Sequence, residues 1–578
     1  MANKSETNAM GVNEAAVPYP GSHQIPQWKL GELPEAPLFT WRNWVAMIGP
    51  GFLMGALAIG GGEWLMGPII TAKFGAGLLW LALLALLCQL IYNIEISRYT
   101  LYSGEPIFTG KFRTLPGPLF WVWLYVLLDF GMFFPYLAAS AATPFVALVR
   151  GELPDPEQDE TLLRMVSISV FLISMIPLIL GGKIYNILKW LAGFKLFVVM
   201  ATLLLIAVLY STPATWIEIC SGFFKFGNVP VLQAEDRNGN GVLDQGEDWD
   251  GDGHLDSVES DVDQNGKLDP AEDLDGDGTR DGYSTDNIFA AWWQGRSLAI
   301  DTSMVALLCA LVAISGGGGL GNTPISNYTR DQGWGMGAHV GAIPSLIGGR
   351  SIQLSHVGTV FQVNDQSLPL WKRWYHHVRR EQVFVWFPAC VFGVALPAML
   401  SVQFLPRGFE VENQWLSSVM TANAIRDYAG PGWGSFFWFL IVLCGFLVMA
   451  VSIGPATDGF LRRWVDVFWT SSSWLRRLEP QNIRYVYFAV LLAYAALSVF
   501  MLMIGKPTQL LLIAALFMNF AFAISCWHTL VVNLVLLPPE LRPRWFARTA
   551  MFLAGLFYFA VATTSTWITV QREFLGGG

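Results

Sequence analysis

The chain is poor in charge, histidine and cysteine. Of its 578 residues only 14% are Asp, Glu, Lys or Arg, seven are His and six are Cys. The cysteines (Cys88, Cys220, Cys309, Cys390, Cys444, Cys526) lie mostly in apolar stretches and never in C-x-x-C spacing. That excludes a disulfide framework and a cysteine metal cage, and leaves small buried hydrophobes. No P-loop, dinucleotide fingerprint, H-E-x-x-H or G-x-S-x-G stands in a credible setting, so no enzyme is expected. Residues 1–40 are polar and proline-rich without an early apolar core, which argues against a cleavable signal peptide and for a disordered cytoplasmic arm.

What the chain has is apolar length. It is 53% hydrophobic with a mean hydropathy of +0.44. Runs of 18 or more apolar residues recur, which defines an integral membrane protein. The short alternating segments of a barrel are missing, and 25 Trp and 39 Phe suit aromatic belts at both interfaces. The pattern predicts helices over 43–72, 77–102, 118–149, 162–181, 186–210, 297–328, 381–404, 434–460, 484–504, 508–536 and 546–571.

Two glycine runs interrupt this pattern: Gly60-Gly61-Gly62-Glu63 in the first segment and Gly316-Gly317-Gly318-Gly319 in the sixth. Each interior glycine costs about 0.5–1 kcal/mol relative to alanine, so seven oppose helix by roughly 4–7 kcal/mol. Small-residue packing spaces its glycines, whereas these are stacked. Interrupted helices at corresponding places in two halves mark a midplane binding site. The division is then 41–211 for a first repeat of five helices, 212–290 for a long loop, 291–540 for a second repeat, and 541–578 for an eleventh helix. The two halves are inverted.

Basic residues set orientation. Lys111, Arg113, Lys183, Lys372, Arg373, Arg379, Arg380, Arg462, Arg463, Arg476, Arg477, Arg542, Arg544 and Arg548 fall in one set of loops. The N-terminus is therefore expected in the cytoplasm of a bacterial-type inner membrane, with the long loop and the C-terminus outside.

That loop is acidic. Residues 235–286 hold 18 acids and 3 bases, a net −15, so the rest of the chain carries +6 of the total −9. Asp236, Asn238, Asn240, Gly241, Asp244 and Glu247 fit D-x-[DN]-x-[DN]-G-x5-E. Asp248, Asp250, Asp252, Asp256 and Glu259 repeat it, as do Asp261, Asp263, Asn265, Asp269 and Glu272. A fourth copy opens with Asp273, Asp275 and Asp277 but has Ser284 at position twelve. Such oxygen ligands suit Ca²⁺. The copies abut and leave no room for flanking helices. The insert resembles the tandem calcium repeats of dockerins and thrombospondin stalks, which implies structural Ca²⁺ within 236–286.

Other residues suggest a family. Gly49-Pro50-Gly51-Phe52-Leu53, Phe74-Gly75-Ala76-Gly77-Leu78-Leu79-Trp80, Arg98, Ser103-Gly104 and Gln509-Leu510-Leu511 resemble the Nramp divalent-metal transporters. The resemblance implies an all-α LeuT-type inverted repeat (5+5) plus an eleventh helix, with helices 1 and 6 broken. It also implies transport of a divalent cation. The family's Asp-Pro-Gly-Asn becomes Gly60-Gly61-Gly62-Glu63 here, and its Met-Pro-His gives way to a stretch near Leu320-Gly321-Asn322. Loss of the soft ligand shifts the expected cation toward Mg²⁺ or Mn²⁺.

The candidate substrate site is Gly60, Gly61, Gly62, Glu63, Gly317, Gly318, Gly319, Asn322 and Asn519, with Thr323 and Asn327 nearby. Asp129 is the candidate coupling residue, for H⁺ or Na⁺. A midplane carboxylate costs roughly 2.5–3.5 kcal/mol on insertion scales, so Glu63 is expected to face a cavity and act. Glu95 with Arg98, and Asp458, read as ion partners, His528 as a satisfied interior histidine, and His376 and His377 as solvated. Two functions compete: a divalent-cation transporter, which the family resemblance puts first, and, as the alternative, a carrier of a small organic solute whose carboxylate meets bare amides at half-helix ends. A non-transporting receptor is a third. The expected partners are lipid and a small ion or solute, with no nucleic acid.

Overall fold

The computed structural model describes residues 19–40, 49–179, 184–231, 284–295, 298, 300–341, 355, 357–409, 411, 413–479 and 482–574. Along the chain the elements are β1 (Lys29–Leu30), α1 (Pro50–Ala58), α2 (Gly67–Phe74), α3 (Leu79–Ser103), α4 (Ile107–Phe112), α5 (Pro118–Leu128), α6 (Tyr136–Arg150), α7 (Glu160–Ser174), α8 (Ile176–Ile179), α9 (Ile184–Tyr210) and α10 (Pro213–Gly222). There follow β2 (Asn228–Val231), β3 (Ser284–Asn287), α11 (Ile288–Gln294), α12 (Val305–Ile314), α13 (Pro324–Asp331), β4 (Thr359–Val360), α14 (Ser367–Glu381) and α15 (Phe387–Phe404). The last four are α16 (Ala422–Ser471), α17 (Ile483–Ile504), α18 (Pro507–Val535) and α19 (Trp545–Phe574).

Among the described residues, ten stretches are long and apolar enough to cross a membrane. The first, Pro50–Ser103, contains two crossings, because Gly75 (φ 59°) turns the chain between α2 and α3. Only glycine enters that conformation without a Cβ penalty. The reversal shows in the contacts at its ends. Gly49 N–H donates to Glu381 Oε1 (2.6 Å), and Glu95, near the end of α3, accepts from Tyr375. Both ends of the hairpin thus meet α14. Its tip meets other elements: Ala76 N–H donates to Glu218 (3.0 Å), and Trp80 Nε1 to the Asn228 carbonyl (2.9 Å). The eleven expected crossings are therefore present in an all-α membrane fold.

The same contacts define two ends. The antiparallel β2–β3 ladder, from which the acidic insert emerges, lies at the hairpin tip. Residues 19–40 lie at the other end. The expectation of a disordered arm does not hold for them: β1 pairs in parallel with β4, and Ile25, Trp28, Leu33 and Ala36 are buried. Trp28 Nε1 donates to Glu105 (3.2 Å), and Trp374 Nε1 to the Pro34 carbonyl (2.9 Å). Apolar residues interleaved with the prolines dock on the bundle, which supplies the burial that an isolated polar arm lacks. Burial alone would raise the Glu105 carboxyl. The Arg113 guanidinium, 2.5 Å away, more than reverses this and holds it below the usual carboxylate range.

Several basic residues counted as loop charges are interior. Lys111, Arg113, Arg462 and Arg463 are fully buried. Arg462 pairs with Asp458 (2.6 Å) and with Asp331, while Arg330 pairs with Asp466 (2.9 Å). This explains why the segment expected over 434–460 runs on to Ser471. Its charges find partners on α13 and in α16 itself, so the helix continues through the core. Gly430 (φ 74°) kinks it near its start. Lys372, Arg373, Arg379, Arg380 and Arg477 stay exposed. His376 is exposed as expected, but His377 is buried, with its ring 4.5 Å from that of Trp334.

Candidate functional site

The first glycine run breaks its helix as expected. α1 stops at Ala58, and the chain resumes through a π turn, Gly62–Met66, before α2. π turns free backbone groups and recur at functional sites. The Ile59 carbonyl freed here is satisfied by Lys195 Nζ (2.8 Å), on α9, which also donates to Ser452 Oγ (2.9 Å) on α16.

The second run breaks the segment from α12 to α13. Ser315 is extended, and Gly316, Gly318 and Gly319 take φ of 85°, 56° and 50°. Each non-glycine residue in the left-handed region would cost roughly 1–2 kcal/mol. A short 3-10 turn, Gly319–Asn322, leads into α13, where Pro324 sits in the first turn. The two broken segments run in opposite directions. The first begins at the arm end, and the sixth ends there, with Trp334 packed beside Gly49. This is the inverted arrangement.

The two breaks touch. Glu63, buried, accepts from Gly60 N–H at Oε2 (3.2 Å) and from Gly316 N–H at Oε1 (2.6 Å). A carboxylate on one break thus caps amides on both. Lys195 interacts electrostatically with it. Gln89 on α3 staples the second break: its Nε2 donates to the Ser315 carbonyl (2.5 Å), and its Oε1 accepts from Gly317 N–H and from Asn322 Nδ2 (both 2.8 Å).

Beside the breaks lies a cavity of about 110 Å³, walled by Gly60, Gly61, Gly62, Glu63, Gly316, Gly317, Gly321, Tyr136, Pro455, Ser452, Arg463 and Met518 among others. One water needs roughly 10–15 Å³ on this measure, so the space holds a small solute or several waters. Of the expected substrate residues, Gly60, Gly61, Gly62, Glu63 and Gly317 line it. Gly318, Gly319, Asn322 and Asn519 are not in its wall. Gly318 backs onto the Ala313 carbonyl and Gly319 onto Met518. Asn322 is spent on Gln89, and Asn519 donates to the Cys309 carbonyl (2.9 Å), joining α18 to α12. Thr323 and Asn327 are likewise engaged, with the Leu320 carbonyl and Asp466.

Asp129 opens a 3-10 turn, Asp129–Phe133, between α5 and α6. It accepts from Arg463 Nη2 at both oxygens (2.9 and 3.0 Å) and from Trp464 Nε1 (2.8 Å). It also borders a second, largely apolar cavity of about 310 Å³ with Phe133, Phe460 and Tyr494. Glu95 and Arg98 form the expected pair (2.8 Å). His528 is satisfied by Thr114 (2.7 Å) and Tyr125 (2.9 Å). Lys195, Gln89 and Arg463 were not singled out as site residues. A lone Lys or Gln inside an apolar run was the available signal, since such residues in a membrane span are expensive.

Among the described residues no group of three or more His, Cys, Asp or Glu is placed to hold a metal. The calcium-repeat ligands from Asp236 to Asp277 fall in 232–283, outside the described residues.

No family model matches the chain, and no curated protein sequence matches it. Among solved structures, two mutants of the Eremococcus coleocola manganese transporter superpose with a TM-score of 0.53 at 11% identity. The alignments cover 93% and 94% of this chain and 90% of each of those. A nucleobase-cation-symport-1 family transporter with bromovinylhydantoin bound aligns at a TM-score of 0.44, 11% identity, over 90% of this chain and 92% of its own. The likeness to the manganese transporter establishes the fold, a LeuT-type inverted repeat.

Proposed function

We propose that this chain is a secondary transporter working by alternating access around the meeting point of its two helix breaks, and that its cargo is a small organic solute. The observation that carries the reading is the bridge from Glu63 to Gly316, which joins the two breaks beside a cavity. The LeuT-type fold supports transport, because unwound segments at this position are where such carriers hold cargo.

The choice of cargo rests on charge. A hard divalent cation wants several anionic or carbonyl oxygens. Among the described residues Glu63 is the only carboxylate in the wall, and each of its oxygens already faces an N–H donor. Lys195 Nζ lies close by, and the Arg463 guanidinium in the wall is paired with Asp129. The name of the structural neighbour favours the other reading, a divalent cation such as Mn²⁺, with Glu63 as its ligand. Proteoliposome uptake separates the two: organic-solute uptake lost in Glu63→Gln supports the proposal, whereas Mn²⁺ or Mg²⁺ uptake alone refutes it. We place the arm end in the cytoplasm, supported by exposed Lys372, Arg373, Arg379, Arg380 and Arg477. The insert, with structural Ca²⁺, then lies outside.

A further inference from the structure

Arg463 is a buried cation whose neighbours account for only part of its hydrogen-bonding capacity. It is fully buried on α16 and contributes to the cavity wall. Its Nη1 donates to the Leu320 carbonyl (3.0 Å), at the second helix break, and its Nη2 holds Asp129. Nε–H has no acceptor among the described residues. A buried charged donor without a partner is costly, and Nε–H is the donor left to meet an oxyanion while both Nη groups are engaged. The remaining charges of the wall do not compete for an anion. Glu63 is engaged by two amides and faces Lys195, and Asp129 already neutralises the other edge of Arg463. Gly61 and Gly62 at the first break bound the same space.

We propose that Arg463 is the specificity-determining contact for a carboxylate group on the cargo, with Nε–H as the donor, and that Asp129 is a positioning residue that holds the guanidinium at the second break. This rests on the organic-solute reading and narrows it to small carboxylates, whether simple anions or amino acids. Binding forms a hydrogen bond and requires no covalent step.

The test uses the purified full chain and intrinsic tryptophan fluorescence on heating. The probes are propionate, propionamide, alanine, alaninamide and Mn²⁺. The expected result is stabilisation by propionate or alanine and none by the matching amide. Arg463→Lys, which keeps a cation for Asp129 but has no Nε–H, should need at least about tenfold more carboxylate for the same shift. Propionate against alanine tells a simple anion from an amino acid. Equal stabilisation by acids and amides overturns the inference and leaves the organic-solute reading standing. So does a wild-type response in Arg463→Lys. Stabilisation by Mn²⁺ with no organic probe active overturns both, and silence toward every carboxylate overturns the inference. If Arg463→Lys does not fold, the acid–amide comparison in the unaltered protein decides.

Discussion

Gly62→Ala is the sharpest perturbation of the contact between the two breaks. A Cβ at position 62 would lie 2.5 Å from the Ile314 carbonyl carbon and 2.9 Å from Ile314 Cγ1. The obstacle is largely backbone, so no rotamer change relieves it. The breaks must separate by roughly an ångström to restore ordinary contact. Overpacking of this kind costs about 1–3 kcal/mol. The same separation stretches the 2.6 Å bond from Gly316 N–H to Glu63, and a buried hydrogen bond is worth about 0.5–1.5 kcal/mol. The expected loss is therefore about 1.5–4.5 kcal/mol. Gly67→Ala is the matched control: it lies in the same crossing, its nearest new neighbour is the Val394 carbonyl oxygen at 3.9 Å, and its φ is helical. Alanine there should stabilise by roughly 0.5–1 kcal/mol from propensity. The assay is the melting temperature of each purified variant, paired with uptake. Gly62→Ala should melt several degrees lower and lose uptake, and Gly67→Ala should do neither. A Gly62→Ala variant that melts and transports like the parent refutes the contact and, with it, the shared site.

Three further outcomes follow from the structure. The Glu105 carboxyl is held low in the folded state, so its stabilisation is complete above the ordinary carboxylate value of 4.5 and is lost as pH falls through the folded value. Glu105→Gln should flatten the acid limb of the melting-temperature profile below about pH 4.5 and lower stability at neutral pH by about 3–5 kcal/mol, because Arg113 is left buried and unpaired; an unchanged acid limb counts against the pairing. Trp28→Ala removes the bond to Glu105, the ring contacts with Tyr19 and Tyr102 (centroids 5.1 and 5.9 Å) and the Arg113–ring contact (5.3 Å). Limited proteolysis should then cut the chain between residues 19 and 40 while the bundle keeps its melting temperature, and continued resistance would show that the arm is held elsewhere. Calcium binding by the acidic repeats is expected at three sites, with half-saturation near 10⁻⁴–10⁻³ M. Terbium luminescence counts the sites, and a chain that binds none ends that reading.

How much was legible depended on whether the signal was local. Each crossing rests on an apolar run longer than about 18 residues, and no tertiary contact is needed to see one. Each break rests on consecutive glycines, whose backbone preference belongs to the residue itself. Glu63 was legible because a carboxylate beside such a break has few places to go. Asn322 and Asn519 illustrate the opposite case. Their type suits a ligand, but whether the amide faces a cavity or a neighbouring helix depends on residues far away in sequence, Gln89 and Cys309.

By itself, then, the sequence determined the membrane fold, the two interruptions and the inverted order of the halves, since these follow from hydropathy and backbone preference read in short windows. The tertiary structure decided which charges are interior. Arg462 and Arg463 look like a cytoplasmic boundary, and they become core residues only because Asp458, Asp331 and Asp129 are brought within reach. A buried charge is tolerable only beside its partner. The partners here come from α13 and from the turn after α5 as well as from α16 itself, so the placement of these two arginines is a property of the packed bundle.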